Sequence, residues 1–138
     1  MYTLRLRLFQ HPNDLYKSRS KTRFLELSLY LKYYNVMIQP LLQNKLPELK
    51  KIFRDHKVKK AYAFGSVCTN QFDENSDIDF LISFEENIDP LEEGENHLRL
   101  YDLIETLFRR PVDLIVEKSV KNPYFIKVMN KTRTPIYD

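Results

Sequence analysis

The spacing of apolar residues changes near Met37, and downstream of that point it predicts a regular series of elements. Ile38, Leu41, Leu42, Leu46, Leu49, Ile52 and Phe53 recur at intervals of three and four, the pattern of an amphipathic helix. Pro47 falls inside that pattern and is expected to begin its main stretch or to kink it, because an interior proline removes a backbone hydrogen bond. Val58 to Phe64 reads as a strand, and the apolar run Ile78 to Phe84 as a buried one. Leu91 to Phe108 reads as a helix with Leu98, Tyr101, Leu103, Ile104, Leu107 and Phe108 facing inward. Val112 to Val116 makes a third strand. Asn122 and Pro123 suit the N-cap and first position of a short helix running to about Met129, and Ile136 and Tyr137 suit a short edge strand. Helix, strand, strand, helix, strand, helix is the order of a small α/β (α+β) domain, a mixed sheet with helices packed on it.

Upstream of Met37 the pattern differs. Tyr2 to Phe9 alternates like a strand, His11, Pro12, Asn13 and Asp14 read as a turn, and Phe24 to Tyr34 is apolar nearly all round. Residues 1–36 carry seven Lys and Arg against two acids, whereas residues 37–138 have a net charge of −2, so the overall +3 comes from the N-terminal segment. We expect residues 37–138 to form the domain. Residues 1–36 are then an extension: an upstream stretch of the reading frame ahead of a natural start at Met37, or a helical arm that packs on the domain or on a partner.

A slightly acidic domain is a poor match for phosphate backbones, so nucleic acid is not expected as a partner. Cys68 is the only cysteine, which excludes an internal disulfide framework and a cysteine-built zinc site, and fits a reducing cytoplasm. No run of about 18 apolar residues is present to cross a bilayer. The alternation of Leu4, Arg5, Leu6, Arg7, Leu8 and Phe9 is unlike a secretory signal. The expected location is cytoplasmic.

Candidate chemistry gathers around one of the two glycines. Gly65 follows a predicted strand and precedes Ser66, an arrangement suited to a turn that offers N–H groups and a hydroxyl to phosphate oxygens, although a simple turn looks the same. After ten intervening residues, Asp77, Ile78 and Asp79 open an apolar strand. Residues two apart on a strand share a face, so the two carboxylates lie side by side. That pair is costly unless a hard cation such as magnesium separates the charges or both acids face water at the strand's start. Asp113 is a third acid, set among Val112, Leu114, Ile115 and Val116, and it needs exposure or a partner. If the second and third strands are neighbours, the three acids converge and can hold two magnesium ions about 3.5–4 Å apart.

The stretch Ala63, Phe64, Gly65, Ser66, then Ser76, Asp77, Ile78, Asp79, Phe80, Leu81, Ile82, with Arg110, Pro111, Val112, Asp113, Leu114 further on, resembles the minimal nucleotidyltransferases of prokaryotes within the DNA polymerase β-like superfamily. The resemblance runs from about Met37 to the C-terminus. It implies that Asp77 and Asp79 bind metal, that Asp113 is the third acid and helps activate the attacking hydroxyl, and that Gly65 and Ser66 hold the nucleotide phosphates. It also implies that the loop from Val67 to Ser76 joins neighbouring strands and covers the site. The expected reaction moves AMP from ATP, with Mg2+, onto a hydroxyl. In this family the acceptor can be a tyrosine of a HEPN-domain toxin, with the nucleotidyltransferase as antitoxin. Two other readings remain open: a non-catalytic antitoxin that neutralises its partner by binding, and a small-molecule nucleotidyltransferase whose acceptor site is completed by a homo-oligomer.

Lys59, Lys60, Arg109, Arg110 and Lys118 flank the predicted strands and are candidates for neutralising a triphosphate, though most of them read as ordinary solvated charges. His11, His56 and His97 lack ligand spacing and read as surface residues. Cys68 reads as a small filler, and the acids from Glu85 to Glu95 as a solvated loop and helix start. Most of the nine tyrosines and nine phenylalanines suit core packing, and any exposed ones suit a docking face.

Overall fold

A computed structural model describes residues 38–138, so the readings made for residues 1–36 lie outside the described residues. Helix α1 (Pro40–Asp55) leads into β1 (Val58–Phe64), and a short 3-10 turn (Gly65–Cys68) and a loop connect it to β2 (Ile78–Phe84). Helix α2 (Pro90–Phe108) carries the chain to β3 (Val112–Val116). A second 3-10 turn (Glu117–Ser119) then leads to helix α3 (Pro123–Met129) and to β4 (Thr134–Tyr137). The sheet order is β3-β2-β1-β4, with β2 and β3 parallel and the β1–β2 and β1–β4 pairs antiparallel. A parallel pair needs a long crossover, and α2 supplies it.

Alternation along the strands explains the layers. Ala61, Ala63, Ile78, Phe80, Ile82, Val112 and Leu114 point to one face, where Leu42, Leu49 and Phe53 of α1 and Leu100, Ile104 and Phe108 of α2 close the main core. Tyr62, Phe64 and Leu81 point to the other face, against Met129 and Phe125 of α3. Cover on both faces is why β2 reads as an unbroken apolar run.

Two expectations need correction. Pro47 does not begin α1: the helix starts at Pro40 and runs on through Pro47. Leu42, Leu49 and Phe53 are fully buried on one side while Pro47 is exposed on the other, so packing of the apolar stripe outweighs the roughly 3 kcal/mol that an interior proline costs. In α2, Ile104, Leu107 and Phe108 do face inward, but Leu98 is 68% exposed, and Tyr101 and Leu103 are exposed as well. The buried stripe is Asn96, Leu100, Ile104 and Phe108, at strict four-residue spacing. Asn96 can be buried because its Nδ2 donates to the His56 carbonyl at 3.1 Å.

His56 and His97 also differ from expectation. His56 is half-buried with Nδ1 bonded to the Ile52 carbonyl at 2.7 Å, and half-buried His97 bonds the Leu114 carbonyl through Nε2 at 2.9 Å, tying α2 to β3. Among the described residues no helix is long and apolar enough to cross a membrane.

Candidate active site

Strand register sets the site. In the parallel pair, Asp79 stands opposite Asp113, and on its other side Asp79 stands opposite Phe64, the residue before Gly65. Adjacent strands lie about 4.8 Å apart, so the turn that starts at Gly65, Asp79 and Asp113 follow one another across three neighbouring strands. Alternation puts Asp79 and Asp113 on the same face as Leu81 and Ile115, the face on which Phe125 and Met129 of α3 pack. Asp77 lies just before β2, exposed; Asp113 is exposed too, and Asp79 is half-buried.

The Asp79 carboxyl is pushed up to about 6, first by burial and then by the negative charges of Asp113 and Asp77. No Lys or Arg among the described residues forms an ion pair with any of the three acids. Among the described residues, no group of three or more His, Cys, Asp or Glu side chains is placed to hold a metal ion by itself. Adjacent carboxylates without a paired cation fit magnesium, which commonly takes one or two carboxylates and completes its shell with substrate phosphates and water.

Gly65 is explained by the acid beside it. Its φ is +73°, a conformation that L side chains rarely adopt, and a Cβ at this position would collide with the Asp79 carboxylate. The Gly65 N–H is already used: it donates to the Thr132 hydroxyl at 2.7 Å, from the segment between α3 and β4. Half-buried Ser66 accepts at its carbonyl from the Thr69 N–H and hydroxyl, while its own hydroxyl has no hydrogen-bond partner among the described residues. Of the groups expected to meet phosphate, the Gly65 amide is thus engaged within the fold and the Ser66 hydroxyl is available. Nothing in the sequence pointed to Thr132, which is 67 residues from Gly65.

The candidate cations distribute unevenly. Lys59 pairs with Glu86 at 2.6 Å and Lys118 with Glu93 at 2.7 Å. Lys59 and Lys60 sit beside Phe84 and Ser83, at the opposite end of β2 from Asp79, and Lys118 follows the far end of β3. Arg110 does lie on the acid side, but it holds the loop: its Nη1 donates to the Asp73 and Ser76 carbonyls, each at 2.9 Å, and its guanidinium lies 4.5 Å from the centre of the Phe72 ring. Exposed Arg109 caps α2 in the left-handed conformation. Cys68 is buried, as a filler should be, and burial pushes its thiol up to about 12. The acids from Glu85 to Glu95 include the α2 cap, where the Asp89 carboxylate accepts from the Leu91 and Glu92 N–H groups.

Residues 47–138 match the family model described as "Polymerase beta, Nucleotidyltransferase". The chain belongs to this nucleotidyltransferase family. Two relatives from Methanocaldococcus jannaschii, each named as a putative protein adenylyltransferase, are 38% and 41% identical to it over 90 residues. Each alignment covers 59% of this chain and 88% of the relative. A solved structure described as a putative minimal nucleotidyltransferase superposes with a TM-score of 0.54 at 25% identity, over 72% of this chain and 96% of the other. A crystal structure of a toxin–antitoxin with AMP-PNP superposes with a TM-score of 0.53 at 20% identity, over 66% and 71%, a likeness of fold. The nucleotidyltransferase match begins inside α1 and takes in Gly65, Ser66 and all three acids.

Proposed function

We propose that this nucleotidyltransferase moves AMP from ATP onto a tyrosine hydroxyl of a partner protein, a HEPN-domain toxin, and so acts as its antitoxin. The observation that carries the reading is the Asp79–Asp113 pairing across β2 and β3, with Asp77 alongside and no cation paired with them among the described residues. Relatives named as protein adenylyltransferases support the donor and acceptor class, and the fold shared with a toxin–antitoxin structure supports the partner.

In this reading Asp77 and Asp79 would hold Mg2+, and Asp113 would complete the donors for a second ion. When bound, magnesium would neutralise the triphosphate and the charge that builds up in transfer. The Ser66 hydroxyl donates to a phosphate oxygen, and the backbone at Gly65 leaves room for the Asp79 carboxylate beside it. The acceptor phenol loses its proton to the Asp113 carboxylate as its oxygen bonds to the α-phosphorus. The bond from that phosphorus to the β-phosphate breaks, and pyrophosphate leaves with the electron pair. Positioning and charge neutralisation supply most of the acceleration in such reactions.

Incubation with ATP labelled at the α-phosphate, Mg2+ and the HEPN partner tests this. Label should appear on a partner tyrosine, disappear with chelator, and fall by more than about a hundredfold in Asp77→Asn with Asp79→Asn, as when a principal electrostatic element is removed. Neutralisation that persists unchanged in the double variant would leave binding alone as the antitoxin mechanism.

A further inference from the structure

We propose that Arg110 is a positioning residue, which fixes the backbone of Asp77 and so brings that carboxylate to the metal beside Asp79 and Asp113. The proposal rests on the reading of Asp77 as a metal ligand. Asp79 and Asp113 lie inside strands, where the ladder fixes them, but Asp77 precedes Ile78, the first residue of β2. Its position therefore depends on the loop before it.

Arg110 and its neighbour grip that loop on both sides of Asp77. The Ser76 carbonyl that accepts from Arg110 Nη1 belongs to the peptide unit that also carries the Asp77 nitrogen, and a peptide unit is planar, so holding the oxygen holds the plane entering Asp77. On the other side, the Ile78 N–H donates to the Pro111 carbonyl at 3.2 Å, which holds the plane leaving Asp77. Both contacts come from consecutive residues just ahead of β3, three and two positions before Asp113. One short segment thus fixes the backbone of one acid and supplies another.

The loop's own bonds are local and leave it to be anchored from outside. The Asp73 carboxylate accepts from the Asn75 N–H and the Ser76 hydroxyl, and the Ser76 hydroxyl in turn accepts from the Asp73 N–H. These bonds shape residues 73–76 without tying them to the sheet. The tie is the Arg110 guanidinium, which bonds both ends of this small turn and stacks on Phe72. A planar, delocalised cation can do both, whereas a lysine ammonium can replace the hydrogen bonds but not the stacking.

The test uses the full chain, with Mn2+ as the spectroscopic substitute for Mg2+ and a non-hydrolysable ATP analogue, and reads Mn2+ affinity by electron paramagnetic resonance. Arg110→Met keeps the apolar stem over Phe72 and removes the donors. It should weaken Mn2+ binding by about tenfold or more, the cost usual for losing a group that orients a metal ligand. Arg110→Lys should recover most of that loss. In an Asp77→Asn background, Arg110→Met should cause no further loss, because both changes remove the same ligand. Hydrogen exchange at residues 74–78 should speed up in Arg110→Met while the melting temperature stays close to that of wild type.

Wild-type Mn2+ affinity in Arg110→Met overturns the assignment, as does a loss that adds in full to that of Asp77→Asn, which would mean that Arg110 touches the nucleotide itself. Unchanged loop exchange overturns it as well. If the wild type binds no Mn2+ with the nucleotide, the metal reading of the acids fails and takes the role of Arg110 with it. If the wild type binds Mn2+ and Arg110→Met binds it equally, only Arg110 loses its role.

Discussion

Asp79 carries a charge in a place that tolerates it poorly, half-buried between Gly65 and Asp113, and this gives the metal-free protein a defined pH response. Its carboxyl is raised from 3.8 to about 6, so the folded state holds a proton that the unfolded chain has already released. The stabilisation from that proton is fully present below about pH 4 and is lost as the pH rises through about 6. With chelator present, melts at about pH 5 and about pH 7.5 should therefore show a fall in stability for the wild type that is largely absent in Asp79→Asn. Adding Mg2+ at the higher pH should restore the wild type but not the variant. At this scale the sequence was informative about residue types: two acids two positions apart at the start of an apolar strand, and a glycine at the end of another. It did not reveal why glycine is needed. The reason is a carboxylate 14 positions later that occupies the space of a side chain, together with a φ of +73° that L side chains rarely adopt.

The elements follow the apolar spacing closely where one face is buried and flanking residues mark the ends. The boundaries of β1, β2 and β3 are those read from the sequence, and α3 begins as expected with Asn122 accepting from the Tyr124 and Phe125 N–H groups ahead of Pro123 at the first turn. Helix α2 shows where spacing stops deciding. Its sequence contains enough apolar residues for overlapping stripes, and only contact with β2, β3 and α1 selects the one through Leu100, Ile104 and Phe108. Substitution distinguishes the stripes. Leu100→Ala should cost about 2–5 kcal/mol in urea unfolding, as truncation of a fully buried leucine does, whereas Leu98→Ala should change stability by no more than about 0.5 kcal/mol. Equal losses at the two positions would contradict the packing of α2.

For the whole molecule, the apolar cluster on the main face draws on α1, α2 and all four strands, and among the described residues its first member is Ile38, 7% exposed. Gln39 then joins α1 to the turn beside the site, its N–H donating to the Val67 carbonyl at 3.0 Å and its Nε2 to the Thr69 carbonyl at 2.6 Å. We therefore propose residues 37–138 as the catalytic unit. A chain starting at Met37 should keep a cooperative thermal transition and bind ATP with Mg2+. One starting at Leu42 should melt at a lower temperature, because it loses Ile38, both Gln39 bonds and the start of α1. Loss of folding in the Met37 chain would show that the domain needs the preceding residues. The sequence by itself determined what depends on near neighbours: the elements, their caps, the acid pair on one strand and the family motif. Only the tertiary structure decided that β2 and β3 are parallel neighbours with Asp79 opposite Asp113, that Thr132 holds Gly65 and that Arg110 holds the loop before Asp77. Those pairings join residues 34 to 67 positions apart, and a contact across such a distance is set by how the layers pack, which no local spacing encodes.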